Sequence, residues 1–157
     1  MSILVPLRSM SPNSHGLARF PVVLSLLSSL ACTQAPRRVE IHGKDYAFTA
    51  PATLPSGNTI FRFINDGSVL HEVQLFQFRK GTSPKAAATL LAAGPLPDSA
   101  YEGSGAILIT APGTAAREQV IIPLGRGDVY GLLCQFRNAD TLPRHSAMGM
   151  WAILRVE

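Results

Sequence analysis

Charged residues are scarce in this sequence, and acids are scarcer than bases. The 157 residues include 10 Asp and Glu against 14 Lys and Arg, for a formal charge of +4. The basic residues do not cluster, and two of them, Arg8 and Arg19, lie in a leader described below, without which the charge falls to +2. Because nucleic-acid binding needs a concentrated basic surface, we expect no nucleic-acid partner.

Long hydrophobic runs are also missing. No apolar run reaches the roughly 18–20 residues that a membrane-spanning helix needs. Hydrophobic residues nevertheless make up 46% of the chain, which is too many for a disordered protein, and the length suits one domain with a buried core. Only two cysteines are present, Cys32 and Cys134, and their settings differ so much that we expect no disulfide between them.

The N-terminal segment has the composition of a secretory signal. Residues 1–19 contain two arginines and no acid, and residues 20–31 form a short apolar run that ends in small residues just before Cys32. Such a segment is typical of an exported protein. The alternative is a buried N-terminal helix with an incidental cysteine, and Met10 is a second candidate start.

The sequence SLAC at residues 29–32 resembles the signal of a bacterial lipoprotein, in which the cysteine becomes the lipidated first residue, although two of its positions depart from the usual pattern. This resemblance implies lipidation of Cys32 and a tether to the membrane through lipid alone. We therefore predict a leader over 1–31, a tether over 32–37 and an extracytoplasmic domain over 38–157.

The rest of the chain consists of short segments in which apolar and polar residues alternate, separated by turn signals. This pattern is typical of a β-sandwich, so the expected fold is all-β with about seven or eight strands. The strands are predicted within residues 39–51, 54–66, 71–78, 106–110, 117–124, 129–136 and 150–157.

One segment departs from the β pattern. Ser83 is a good N-cap, Pro84 suits the first turn, and Gly94 can end a helix, so we predict a helix over 83–93 that covers a sheet edge. Residues 94–105 are predicted to form a loop.

Four side chains suited to a metal follow one another in the order His, Cys, His, Met. His71 opens a predicted strand, Cys134 lies near the end of another, and His145 falls in the following loop. Met150 opens the last strand. Two imidazoles, a thiolate and a weak thioether are the ligand set of a blue-copper electron-transfer site. Each residue alone is more often structural, but the four together predict a copper site.

Three segments around these residues resemble the cupredoxins of the plastocyanin and amicyanin kind. The segments are IFRFINDGSVLHEV, GDVYGLLC and HSAMGMWAILRV. The resemblance covers most of residues 38–157 and implies a Greek-key β-sandwich that holds one copper ion, cycling between Cu⁺ and Cu²⁺. It implies two imidazole ligands, a thiolate, an axial thioether and an asparagine beside the site, which are His71 and His145, Cys134, Met150, and Asn65.

Two features of the ligand segment leave choices open. Met148 competes with Met150 as the thioether, although the spacing from His145 favours Met150. Ten residues separate Cys134 from His145, where members of the family have two or four. The resemblance also implies that His145 is the more exposed ligand and the exit point for electrons.

We expect a monomeric protein that carries single electrons between redox partner proteins. Two alternatives are a module of the cell envelope that chaperones or stores copper, and a cupredoxin-like interaction domain with a vestigial site. Catalysis is not expected. A multicopper oxidase needs several His-x-His pairs, which this sequence lacks, and no Ser-His-Asp or paired-carboxylate arrangement stands out.

Overall fold

The computed structural model describes residues 35–157. The predicted leader, its cysteine Cys32 and the start of the tether lie outside the described residues and stay predictions. Within residues 35–157, no helix is both long enough and apolar enough to cross a membrane.

Ten strands of the described chain form two sheets, together with one α-helix and two short 3-10 helices. The predicted all-β sandwich is confirmed. Seven strands have five residues or more, and three have only two or three. The strands are β1 (Arg37–Lys44), β2 (Ala47–Thr49), β3 (Thr53–Leu54), β4 (Gly57–Asn65), β5 (His71–Phe78), β6 (Tyr101–Thr110), β7 (Thr114–Ala115), β8 (Val120–Leu124), β9 (Val129–Leu133) and β10 (Trp151–Val156).

The first sheet has the order β2-β1-β4-β7, with β8 also paired to β4, and the second has the order β3-β10-β9-β5-β6. β1 runs parallel to β4, and β3 runs parallel to β10, whereas the other pairs are antiparallel. β5 and β9 are therefore neighbours, and their pairing Gln74↔Leu133 brings the start of β5 close to the end of β9.

The main core lies between the two sheets. Along β4, Phe61 and Phe63 are wholly buried, while Arg62 between them is exposed, as the two-residue period of a strand requires. Burial of each such phenylalanine contributes about 1.5–3 kcal/mol. The same alternation places Asn65, the last residue of β4, on the buried face.

The predicted helix is confirmed as α1 (Pro84–Ala93), and the Ser83 hydroxyl accepts a hydrogen bond from the amide of Ala86 at 3.2 Å. Its predicted location at a sheet edge is wrong. The buried helix residues Ala87 and Leu91 pack with residues of β5 and β9. These strand residues lie on the face of the second sheet that points away from the main core. Apolar side chains on that outer face form a second core, which decides where the helix lies. Its members are Phe76, Phe78, Ala87, Leu91, Val129 and Leu133.

Several predicted boundaries are wrong. The predicted loop over 94–105 ends early, because β6 begins at Tyr101 and pairs with β5 through two register shifts. The predicted opening strand over 39–51 is a hairpin, turned at Asp45 and Tyr46, which have φ of 48° and 66°. The predicted strands over 117–124 and 129–136 are shorter than expected, since β8 begins at Val120 and β9 ends at Leu133.

Candidate metal centre

Three of the four predicted ligands converge at one end of the sandwich. The side chains of His71, Cys134 and His145 are wholly buried. The two imidazole Nδ1 atoms lie 3.1 Å apart, and the Sγ atom of Cys134 lies 3.4 Å from Nδ1 of His145 and 4.0 Å from Nδ1 of His71. No other group of His, Cys, Asp and Glu in residues 35–157 is arranged to hold a metal ion.

Two of these residues lie at the ends of neighbouring strands. His71 is the first residue of β5, and Cys134 follows the last residue of β9, its neighbour in the sheet. The third, His145, begins a 3-10 helix over His145–Met148. Its amide donates to the Phe136 carbonyl at 2.8 Å, and the Ser146 amide donates to the Cys134 carbonyl at 2.9 Å. These bonds bring the two ends of the long ligand loop together.

The fourth predicted ligand, Met150, is also wholly buried at this end of the sandwich. Its amide donates to the His145 carbonyl at 3.0 Å, and its carbonyl accepts from the Cys134 amide at 3.2 Å. Its methyl group lies 3.0 Å from the point where a Cβ atom on Gly43 would stand, so it reaches towards β1 in the first sheet. Met148 is 39% exposed, so Met150 is the buried thioether of the pair.

The three donor atoms fit a single metal ion. The point equidistant from them lies about 2.1 Å from each, within the roughly 2.0–2.3 Å over which imidazole nitrogen and thiolate sulfur bind an ion such as Zn²⁺. Two imidazoles with one thiolate and a buried thioether nearby form the combination that favours copper. The donor set therefore indicates one copper ion.

Burial also sets the protonation of the three groups. It lowers the pKa of His71 and of His145, and the proximity of His145 lowers the pKa of His71 further. The imidazoles are thus held neutral, as metal binding requires. Burial raises the pKa of the Cys134 thiol, while the amides of Glu72 and Phe136 donate to its sulfur and oppose that rise. Metal binding must therefore displace a proton from Cys134.

No protein-family model and no curated protein matches this sequence. Among solved structures, the dithionite-reduced auracyanin of the photosynthetic bacterium Roseiflexus castenholzii is 24% identical with a TM-score of 0.50, over 79% of this chain and 99% of that one. Auracyanin B is 22% identical with a TM-score of 0.50, over 79% and 91%. The chain has the cupredoxin fold. Auracyanin A of Chloroflexus aurantiacus, described as a "blue" copper protein, is 24% identical with a TM-score of 0.45, over 78% and 100%.

Asn65, predicted to lie beside the site, anchors the turn that leads into His71 of this cupredoxin fold. Its amide nitrogen donates to the carbonyls of Val69 at 2.8 Å and Thr110 at 3.0 Å, and its oxygen accepts from the Gly67 amide at 2.9 Å. These bonds tie the end of β4 to the turn and to the end of β6. Asn65 therefore fixes the point at which β5 begins.

Glu72 is a site residue that the sequence analysis missed. Its buried carboxylate accepts from the Gln135 amide, next to Cys134, at 2.9 Å, and burial raises the pKa of Glu72. Arg144 donates to the Gln135 carbonyl at 3.1 Å. Both groups hold the backbone just after the thiol in place. The alternation of β5 gave no signal for Glu72, because a charged residue in a strand is ordinarily placed in solvent.

Tyr46 and Asn138 were also missed, and together they cover His145. Its Nε2 atom lies 3.0 Å from Oδ1 of Asn138, whose Nδ2 atom donates to the Tyr46 hydroxyl at 2.7 Å. The expectation that His145 is the more exposed ligand is wrong, because it has no exposed surface. Both residues lie in turns or loops where polar side chains are usual, so no sequence signal marked them.

Proposed function

We propose that this protein carries single electrons between partner proteins through one bound copper ion. The observation that carries this proposal is the convergence of two imidazole Nδ1 atoms and one thiol sulfur in a wholly buried site. The proposed ligands are His71, Cys134, His145 and Met150.

The residues of the site suit a one-electron couple. A bound copper ion supplies the exchange between Cu⁺ and Cu²⁺. The thiolate and the thioether favour Cu⁺, and the imidazoles suit both states. The two sheets and the backbone bonds across the ligand loop restrict how far the donors can move, so little rearrangement accompanies electron transfer. Burial of all four side chains keeps water out of the site.

A carrier fits the site better than an oxidase does. Residues 35–157 hold one group arranged for a metal, whereas reduction of oxygen in a multicopper oxidase needs several copper ions. The donor atoms are buried, so a substrate has no direct access to them. We infer that electrons reach the metal through protein, without a substrate bound to it.

The proposed location rests on the leader. We propose that the domain works outside the cytoplasm, tethered through lipid on Cys32, and that it acts as a monomer that exchanges electrons with redox partner proteins. The support is the basic, then apolar, then small-residue pattern that precedes Cys32. Metabolic labelling with a radioactive fatty acid, compared with a Cys32→Ala variant, tests the tether.

Titration of the protein with Cu²⁺, followed by visible and EPR spectroscopy, tests the copper site. We expect an intense thiolate-to-copper band and a narrow copper hyperfine splitting. Both should vanish in Cys134→Ser, which removes the soft ligand, and persist in Met148→Leu, which changes only the exposed thioether. Circular dichroism of each variant checks that it is folded. Copper bound without the thiolate band in the unchanged protein would contradict the proposal.

A second candidate function is copper delivery, which the 39% exposure of Met148 favours. A thioether at the surface, two residues before Met150, suits capture of Cu⁺. Transfer of Cu⁺ to an acceptor chelator should then slow by about tenfold, a change of 1.4 kcal/mol in barrier height, in Met148→Leu. Electron self-exchange in the Cu⁺/Cu²⁺ mixture, measured by NMR line broadening, separates the two functions. Fast self-exchange with slow metal transfer supports the carrier.

A further inference from the structure

The outer edge of His145 does not reach solvent. The whole residue is buried, and its Nε2 atom, on the side of the ring away from Cys134, lies 3.0 Å from Oδ1 of Asn138. The ring of Tyr46 stands edge-on to the imidazole, with centroids 4.9 Å apart. Asn138 is exposed and Tyr46 half-buried, so these two side chains separate His145 from water.

The side chains of Asn138 and Tyr46 form a cover over His145. The donor and the acceptor of each hydrogen bond in this cover can be identified. The Nδ2 atom of Asn138 can only donate, so the Tyr46 hydroxyl oxygen accepts from it at 2.7 Å. The Oδ1 atom of Asn138 can only accept, and it faces Nε2 of His145. With the Asn138 amide in this orientation, the proton of the neutral imidazole lies on Nε2. The lone pair of Nδ1 is left facing Sγ of Cys134, at 3.4 Å.

We propose that Asn138 and Tyr46 are positioning residues for His145. They hold the imidazole in the Nε2–H form, so that Nδ1 is free to bind metal, and they shield the outer edge of the ring from water. The inference rests on the proposed function only in taking Nδ1 of His145 as a ligand atom. An acceptor on the far nitrogen of a metal-binding histidine is a general means of fixing its tautomer and orientation.

Two unusual stretches of backbone supply the cover. Tyr46 has φ of 66°, in the left-handed region that is unfavourable for residues other than glycine. Asn138 belongs to the ten residues between Cys134 and His145, a loop that is braced by its own bonds, among them Leu142 amide to Ala139 carbonyl at 3.0 Å. The extra length of this loop thus has a structural use: it carries an acceptor to His145.

The test is the exchange of the His145 Nε2 proton with water, measured by NMR on the ¹⁵N-labelled protein loaded with Cu⁺ alone. The proton should exchange slowly in the unchanged protein. Asn138→Ala removes the acceptor and admits water, so exchange should accelerate roughly tenfold or more. Asn138→Asp keeps an acceptor oxygen and should retain the protection. Tyr46→Phe keeps the ring but loses the hydroxyl, and should fall between the two. Asp140→Ala, in the same loop, is the matched control and should leave the rate unchanged.

Two results would overturn the proposal. Slow exchange in Asn138→Ala, equal to that of the unchanged protein, would show that the cover plays no part. Equally fast exchange in Asn138→Asp and Asn138→Ala would show that no acceptor is needed. If the protein binds no copper, the proposed function fails, but the imidazole ¹⁵N shifts of the metal-free protein still report the tautomer. The Nε2–H form in the unchanged protein and a mixture in Asn138→Ala would support the cover, and the same tautomer in both would overturn it.

Discussion

His71 and His145 present the same atom to the metal site, but they are held there by different means. His71 opens a central strand, and behind it Gly67 leaves so little room that an added Cβ would stand 3.0 Å from Nε2. That Nε2 atom has no hydrogen-bond partner among the described residues. His145 lies in a loop, and its Nε2 atom is bonded to Asn138.

This difference follows from where each residue lies in the fold. A residue on a strand receives its position from the register of the sheet and from packing, because backbone bonds on both sides fix the chain. A residue on a loop needs side-chain hydrogen bonds to reach the same precision. We therefore expect substitutions beside His71 to destabilise the fold. Substitutions beside His145 should change the site while the fold persists.

The largest expected effect is that of Asn65→Ala. It removes the three hydrogen bonds that Asn65 makes to two carbonyls and one amide beside a buried site. We expect the free energy of unfolding, measured by urea titration of the metal-free protein, to fall by about 2–4 kcal/mol. Asn58→Ala is the control, since Asn58 is exposed on the same strand. A loss below about 1 kcal/mol would mean that the turn is held by other contacts.

The next effect in size is that of Gly67→Ala, which places a methyl group 3.0 Å from His71 Nε2 and 3.1 Å from Asn65 Oδ1. Overpacking of this kind costs about 1–3 kcal/mol. Because His71 must shift to make room, Cu⁺ should raise the unfolding midpoint less than in the unchanged protein. Thermal unfolding with and without Cu⁺ measures both effects. Ser68→Ala, in the same turn, adds no bulk and should change neither. An unchanged copper increment in Gly67→Ala would show that His71 has room to move.

Local signals in the sequence account for much of the fold. Ser83, Pro84 and Gly94 lie at the helix ends where their chemistry predicts them, and alternation along β4 marks the residues that face the core. The hairpin turn at Asp45 and Tyr46 was not predictable, because its two left-handed residues lack the glycine that normally marks such a turn.

The position of the helix was not predictable either, for a different reason. Leu91 packs against residues on the outer face of the second sheet, and room for the core there depends on Gly131, where an added Cβ would stand 2.3 Å from the ring of Phe76. Both faces of β5 and β9 are buried. An alternation of buried and exposed residues therefore does not mark the outer face in these strands.

The convergence of the donor side chains could be predicted from the sequence, because the residue types themselves indicate which metal they can bind. The order His71, Cys134, His145, Met150 and the resemblance to the cupredoxins suggested a copper ligand set before any geometry was known. The cover could not be predicted in this way. Tyr46 and Asn138 are common residues, 92 positions apart. Their role at the site depends on the contact that the fold creates between them.

The smallest expected effect on stability is that of Asn138→Ala, and it is the sharpest test of the contrast between the two sides. Asn138 is exposed, so water can replace its oxygen as the partner of His145 Nε2. We expect the free energy of unfolding of the metal-free protein to fall by only about 0.5–1 kcal/mol, well below the loss in Asn65→Ala, while exchange of the Nε2 proton accelerates. Urea titration of both variants under the same conditions gives the comparison. A loss in Asn138→Ala as large as that in Asn65→Ala would mean that the ligand loop belongs to the folding core, and that both imidazoles are held by the fold as a whole.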